Sequence, residues 1–245
     1  MKSRFGISGS ELKWIAVITM VIDHFGACIL ENSVLNVHGN SPLAGVFSEQ
    51  WDAIYSFDRI LRCVGRVAFP LFCFLLVEGF FHTRDVKRYA LRLGLFALIS
   101  EIPFDLAVRG VPFAWSYQNV YFTLLIGLLT IWFMEEKKKQ WWLRMAGFFI
   151  GCGAAYLLHT DYDVFGVALI ALLYLLREQR LVQSVGGALV CLGEEWPAIF
   201  AFVLTYFYDG RRGRQSKWFF YWFYPAHLLL YYLIGAYLLP GIWLA

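Results

Sequence analysis

Charge is scarce in this chain. Only 16% of its 245 residues are Asp, Glu, Lys or Arg, where a soluble domain carries about a quarter. That shortage, against 60% hydrophobic residues, excludes an ordinary water-soluble globule. Cysteine is also uninformative as a framework. The five cysteines, Cys28, Cys63, Cys73, Cys152 and Cys191, all sit in or near apolar stretches, and no pair is spaced C-x-x-C. They read as reduced packing residues, with no disulfide framework or zinc ribbon. No HxxxH spacing, G-x-S-x-G elbow, phosphate-binding G-x-x-x-x-G-K loop or dinucleotide fingerprint occurs, so no metal site is expected. A net charge of +3, with no basic tract of nucleic-acid type, gives no reason to expect a nucleic-acid partner.

Long apolar runs fill the sequence instead. The pattern predicts an all-α, polytopic transmembrane bundle folded as a single domain over residues 1–245. About nine spans are expected, near 12–31, 56–81, 89–108, 119–134, 142–158, 164–176, 182–193, 195–208 and 218–239. The first run lacks a small-residue cleavage site after it and reads as a retained helix. With the N-terminus in the cytoplasm, seventeen of the 21 basic residues fall in inner segments. Arg109 alone falls in an outer loop, and Arg59, Arg62 and Arg66 belong to the second span. That asymmetry obeys the positive-inside rule and implies an odd number of crossings. The first outer loop, about 32–55, is the longest and is expected to fold back as a short interfacial helix or a lid.

The few charges inside the apolar runs carry the functional reading. An ionisable group at mid-bilayer costs roughly 2.5–3.5 kcal/mol on insertion scales, so such groups face a protein interior or a wet cavity. "ITMVIDHFGACIL", residues 18–30, puts Asp23 and His24 in the middle of the first span. At 1.5 Å per residue, His24, Arg66, Glu101 and His227 fall at one depth on four helices, with Asp23 beside them. Arg59, Arg62 and Arg66 share one helix face, as do Glu101, Asp105 and Arg109, so the two faces are complementary. Neutral imidazole works as a base near pH 7, which makes His24 the candidate base and His227 a second one. Adjacent helical residues point about 100° apart. Asp23 is therefore free to pair with an arginine, and the acid that orients His24 stays open between Asp23, Glu101 and Asp105. Glu78, at the inner end of the second span, either pairs with Arg88 or Arg92 or joins them around an anionic head group. At the outer ends, Gln118 and Asn119 precede the fourth span. His159, Asp161 and Asp163 either cap the next helix but one or line a pocket.

The stretches "LKWIAVITMVIDHFGA", "GRVAFPLFCFLLVEGFFHTRDVKRYALRL", "FALISEIPFDL", "QNVYFTLLIGLL", "DYDVFGVALIALLYLLR" and "FYPAHLLLYYLI" resemble, in order, the TraX family of bacterial integral membrane proteins. The resemblance runs over about residues 12–238. Its most specific parts are Asp23-His24, the Arg-x-x-Phe-Pro from Arg66 to Pro70, and the Glu-x-Pro-x-Asp from Glu101 to Asp105. The family's founding activity is N-terminal acetylation of a conjugative pilin. The resemblance implies an acyltransferase of the bacterial cytoplasmic membrane that takes acetyl-CoA as donor. The acceptor at the membrane or outer face is unspecified: a protein amine, glycan, lipid or small molecule. In that reading His24, Asp23, Arg66 and Glu101 form the catalytic group, with His24 as base or acyl relay. Arg62, Glu78, Arg88, Arg92 and His227 hold the donor. The competing reading is a small proton-coupled transporter with His24, Glu101 and Arg66 as its relay. A membrane scaffold with purely structural charges is a third.

Overall fold

The computed structural model describes residues 6–37, 39, 41–194, 196–214 and 216–244. Lys2 and Arg4, counted above among the inner basic residues, lie outside them. Among the described residues the chain is helical, without strands; its only β pairings are the isolated bridges Ile7–Tyr208 and Gln118–Thr160. The helices are α1 (Gly9–His24), α2 (Trp51–Gly65), α3 (Ala68–His82), α4 (Val86–Arg109), α5 (Val120–Glu136), α6 (Trp141–Leu157), α7 (Asp163–Leu175), α8 (Arg180–Glu194), α9 (Phe200–Tyr206), α10 (Lys217–Leu233) and α11 (Leu239–Trp243). Two wider π-helical stretches, Phe25–Val34 and Ile234–Leu238, continue α1 and α10.

Helix occupies each of the nine stretches expected to be spans. Among the described residues three stretches are long and apolar enough to cross a membrane: Gly9–Val34, Ser48–His82 and Trp218–Trp243. Several others are shorter. Helix α7 has 13 residues, and α5 and α6 have 17 each. At 1.5 Å per residue these reach roughly 20–26 Å, short of a ~30 Å hydrocarbon core.

The stretch expected to be one helix over 56–81 is two, α2 and α3, separated at Arg66–Val67. Pro70 explains the break. A proline has no N–H to give the carbonyl four residues back, and its ring crowds that carbonyl, here the one of Arg66. Proline is tolerated in the first turn of α3, where N–H groups lack helical partners anyway. Arg66 therefore ends a helix instead of standing mid-helix. The first outer loop holds turns and the short 3-10 helix Ser48–Gln50.

The chain packs as two compact units. One comprises Met1–Ala16, Val67–Leu98 and Trp115–Gln215. Its core is the meeting of α3, α5 and α7, where Leu71, Phe74, Leu128, Ile131, Leu169 and Leu173 are fully buried. Helix α6 lies close against α5 because Gly151 and Gly147 face Thr130 and Phe133, and a side chain at either would collide with them. Small residues at such contacts are how helices approach in an apolar solvent. Asn119, wholly buried, caps α5 by accepting from the Tyr121 N–H at 3.1 Å and donates to the Ala97 carbonyl on α4 at 2.8 Å. Asp161 accepts from the Tyr117 hydroxyl at 2.6 Å, tying the two turns joined by the Gln118–Thr160 bridge. Tyr162 occupies the N-cap of α7 and makes no side-chain capping bond. In the loop before α10, hydrogen bonding from the Arg211 guanidinium holds the Asp209 carboxyl below its usual range.

The other unit comprises Val17–Arg66, Ile99–Ala114 and Ser216–Ala245. It contains both π stretches, which pack on each other and on α10, the first also on α2. Ser33 donates to the Cys28 carbonyl five residues back at 3.1 Å, and Gly235 leaves room for its hydroxyl. π geometry is rare outside functional or strained segments. Here it begins at the residue after His24.

Asn119→Ala removes the cap and the side-chain bond to the Ala97 carbonyl. A loss of about 2 kcal/mol is expected, read as a lowered thermal-unfolding midpoint of the protein in detergent. Asn119→Asp, which keeps the capping acceptor, should lose less. An unchanged midpoint for both would contradict the role given to this side chain.

Candidate functional site

In the unit built from α1, α2 and α10, Asp23 and His24 point to different partners. Asp23 turns to α2, where its Oδ2 lies 2.6 Å from Arg62 Nη1. The same nitrogen also donates to the Asp23 carbonyl at 3.3 Å. Arg62 Nε lies 3.3 Å from Glu31 on the π stretch. One guanidinium thus holds two acids, using the fork geometry that a lysine lacks. Asp58, one turn before Arg62, is completely buried, and its carboxyl faces Glu31.

Two glycines let the elements meet. Any side chain at Gly65 would collide with Asp23. At Gly26 a Cβ would stand 2.6 Å from Asp58 Oδ1 and 3.1 Å from Arg62 Cδ. Arg66, at the end of α2, acts electrostatically on Asp23, and Arg59 on Asp58.

His24 turns to α10. Its Nδ1 lies 2.6 Å from Nε2 of His227, with the rings nearly parallel at 13° and their centroids 4.9 Å apart. His227 Nδ1 lies 2.8 Å from the Phe223 carbonyl. Aromatic rings surround the pair: Phe223 stacks on His227 at 5.1 Å, and Tyr224 stands 5.8 Å from His24. Tyr231 meets the edge of His227 and donates its hydroxyl to the Val21 carbonyl at 3.1 Å, fixing α10 to α1. His227 is buried and His24 half-buried. Among the described residues, neither ring has a carboxylate within ion-pair distance.

The remaining residues singled out from the sequence lie as follows. Glu101 is buried on α4 in this same unit. Asp105 accepts from the Ala114 N–H at 2.7 Å. Glu78 does not pair with Arg88 or Arg92. In the other unit it takes Arg177 at 3.1 Å and Arg180 at 3.6 Å, and His82 Nδ1 bonds its backbone carbonyl at 2.7 Å. Arg88 instead pairs with Asp85 at 3.0 Å, and Arg92 lies over the Tyr89 ring. Of the five residues assigned to the donor, Arg62 and His227 belong to the unit of His24, and Glu78, Arg88 and Arg92 belong to the other unit. Glu31 and Asp58 escaped the sequence reading. The i, i+4 spacing of Asp58 and Arg62 was the available signal.

The comparisons with known proteins bear on this arrangement. A family model described as TraX protein matches residues 8–235. The chain belongs to the TraX family. The matched region of this TraX chain includes both members of the histidine pair and the whole Asp23–Arg62–Glu31 cluster. The chain is also 27% identical to the probable fimbrial assembly protein FimC, serogroup H1, of Dichelobacter nodosus, over 94% of this chain and 96% of that protein. No solved structure matches it.

Arg62→Ala leaves two mostly buried acids without their common cation. Breaking such a pair costs about 3–5 kcal/mol, so the variant should unfold at clearly lower temperature in detergent, while Arg62→Lys, a point charge without the fork, recovers only part of the loss. Wild-type stability of Arg62→Ala would contradict the clamp.

Proposed function

We propose that this TraX-family protein is a multi-pass acyltransferase of the bacterial cytoplasmic membrane. It moves an acetyl group from cytosolic acetyl-CoA to an amine or hydroxyl at the membrane or outer face, with His24 as the base. The observation that carries the reading is the His24–His227 contact at 2.6 Å, enclosed by aromatic rings and, among the described residues, with no carboxylate at ion-pair distance. An apolar surface is what lipid contact requires, and α6 exposes Phe149, Ile150 and Leu157 by about two-thirds or more each. The distribution of basic residues supports a cytoplasmic N-terminus and about nine crossings, with the shorter helices tilted or only partly inserted.

The chemistry follows from the groups present. His24 takes the proton of the acceptor N–H or O–H as its heteroatom attacks the thioester carbonyl. The C–S bond then breaks, the acetyl group stays on the acceptor, and the proton passes from His24 to the departing CoA sulfur. Asp23 does not orient the base, because Arg62 holds it. It anchors α1 against α2 beside the reacting ring. Arg66, at the break before Pro70, acts electrostatically on Asp23 and is the cation assigned to the oxyanion or the donor's phosphates. Glu101 keeps a place in the same unit as a further acid. The relative's printed name speaks of fimbrial assembly, which makes a fimbrial subunit's N-terminal amine the first acceptor to try.

Radiolabelled acetyl transfer by purified protein, against a panel of peptide amines and sugar hydroxyls, tests the proposal. His24→Ala should lower turnover about 100-fold or more and leave the unfolding temperature within a few degrees of wild type. Wild-type turnover by His24→Ala would remove His24 as base. Proton-driven uptake by proteoliposomes, with no transfer to any acceptor, would favour the relay reading.

A further inference from the structure

The contacts of His227 decide which nitrogen of His24 is reactive. A backbone carbonyl can only accept a hydrogen bond, so the His227 nitrogen 2.8 Å from the Phe223 oxygen, Nδ1, must carry a proton. A neutral imidazole has one N–H, which leaves Nε2 of His227 as an acceptor. The atom 2.6 Å from that acceptor is His24 Nδ1, and it must therefore be the donor. His24 is then protonated at Nδ1 and has its lone pair on Nε2. The opposite polarity would require His227 to be a doubly protonated cation, and among the described residues no carboxylate stands beside it to balance one in an apolar surround.

We infer that His227 is a positioning residue: anchored by the Phe223 carbonyl, it fixes His24 in the tautomer whose Nε2 is the proton-accepting atom. The inference rests on the acyl-transfer reading for its purpose, but its geometry stands apart from it. The arrangement replaces the acid of a Ser-His-Asp triad by a neutral ring. When His24 gains a proton at Nε2, its Nδ1–H remains bonded to His227, and the bond becomes charge-assisted. No buried carboxylate is needed for this, which frees Asp23 to serve α1–α2 packing. The aromatic stack and the Tyr231 bond to Val21 hold the two rings in register.

The test is nitrogen NMR of the full chain in nanodiscs with 15N-labelled histidine, with His24 and His227 assigned from single-site variants, at a pH where both rings are neutral. Both should read as Nδ1–H tautomers in wild type. In His227→Phe, which keeps an aromatic ring in the stack, His24 should relax to the mixture of an unconstrained imidazole. The same variant should lower turnover about 100-fold. His227→Gln can accept from His24 through its amide oxygen and should restore part of both the tautomer and the rate. An Nε2–H tautomer for His24 in wild type, or a His24 signal unmoved in His227→Phe, overturns the inference. If the tautomers are as stated and no acyl transfer is found, the positioning stands and the functional reading fails.

Discussion

Arg62 holds Asp23 and Glu31 at once, and the arrangement around His24 depends on that clamp. In an apolar surround an unpaired charge costs several kcal/mol, while a fork of guanidinium nitrogens satisfies two acids together. The clamp ties α2 to α1 on one side of the residue 23–24 step and to the π stretch on the other. Gly65 and Gly26 remove the side chains that would hold those elements apart. With Asp23 committed to α2, the next residue points away by about a third of a turn, and α10 meets it there with His227. Two adjacent residues thus meet different partners, one a guanidinium on α2 and the other an imidazole on α10.

Much of this was legible in the sequence, for a reason that can be stated. Charge is so costly in lipid that depth along each helix becomes informative. Counting 1.5 Å per residue placed His24 and His227 at one level, and the structure brings their rings into contact. The helices themselves were legible from apolar run length. The choice of partners was not. Asp23 and His24 look like a dyad on paper, and only the rotation of α1 relative to its neighbours assigns one to Arg62 and the other to His227. Glu31 stands at the very end of the first expected span, and nothing in the run to Val34 announces that helix continues there in π form. Asp58 is hidden by a similar ambiguity, lying in a stretch whose neighbours Phe57 and Ile60 are exposed.

Glu78 carries a different lesson. Its pairing with Arg88 or Arg92 was expected from proximity in sequence. The partners are Arg177 and Arg180, about a hundred residues on, with Arg177 also over the Phe81 ring and Arg180 over Phe74. Long-range pairing of a buried acid follows from which helices pack, here α3 with α7, whose C-terminal turn leads into Arg177 and Arg180, and sequence distance says nothing about it. The break at Arg66–Val67 was readable in hindsight, because Pro70 removes the hydrogen bond to that turn. It lets α2 belong to the unit of the histidine pair and α3 to the other.

Calorimetric titration of acetyl-CoA into detergent-purified wild-type protein and His24→Ala, with thioester cleavage followed in the same samples, tests the central claim most directly. The account predicts binding by both proteins and cleavage by wild type alone, since His24 acts on the reacting group and is not needed to hold the donor. Absence of binding by well-folded wild-type protein would contradict the donor, and with it the acyltransferase reading of the histidine pair.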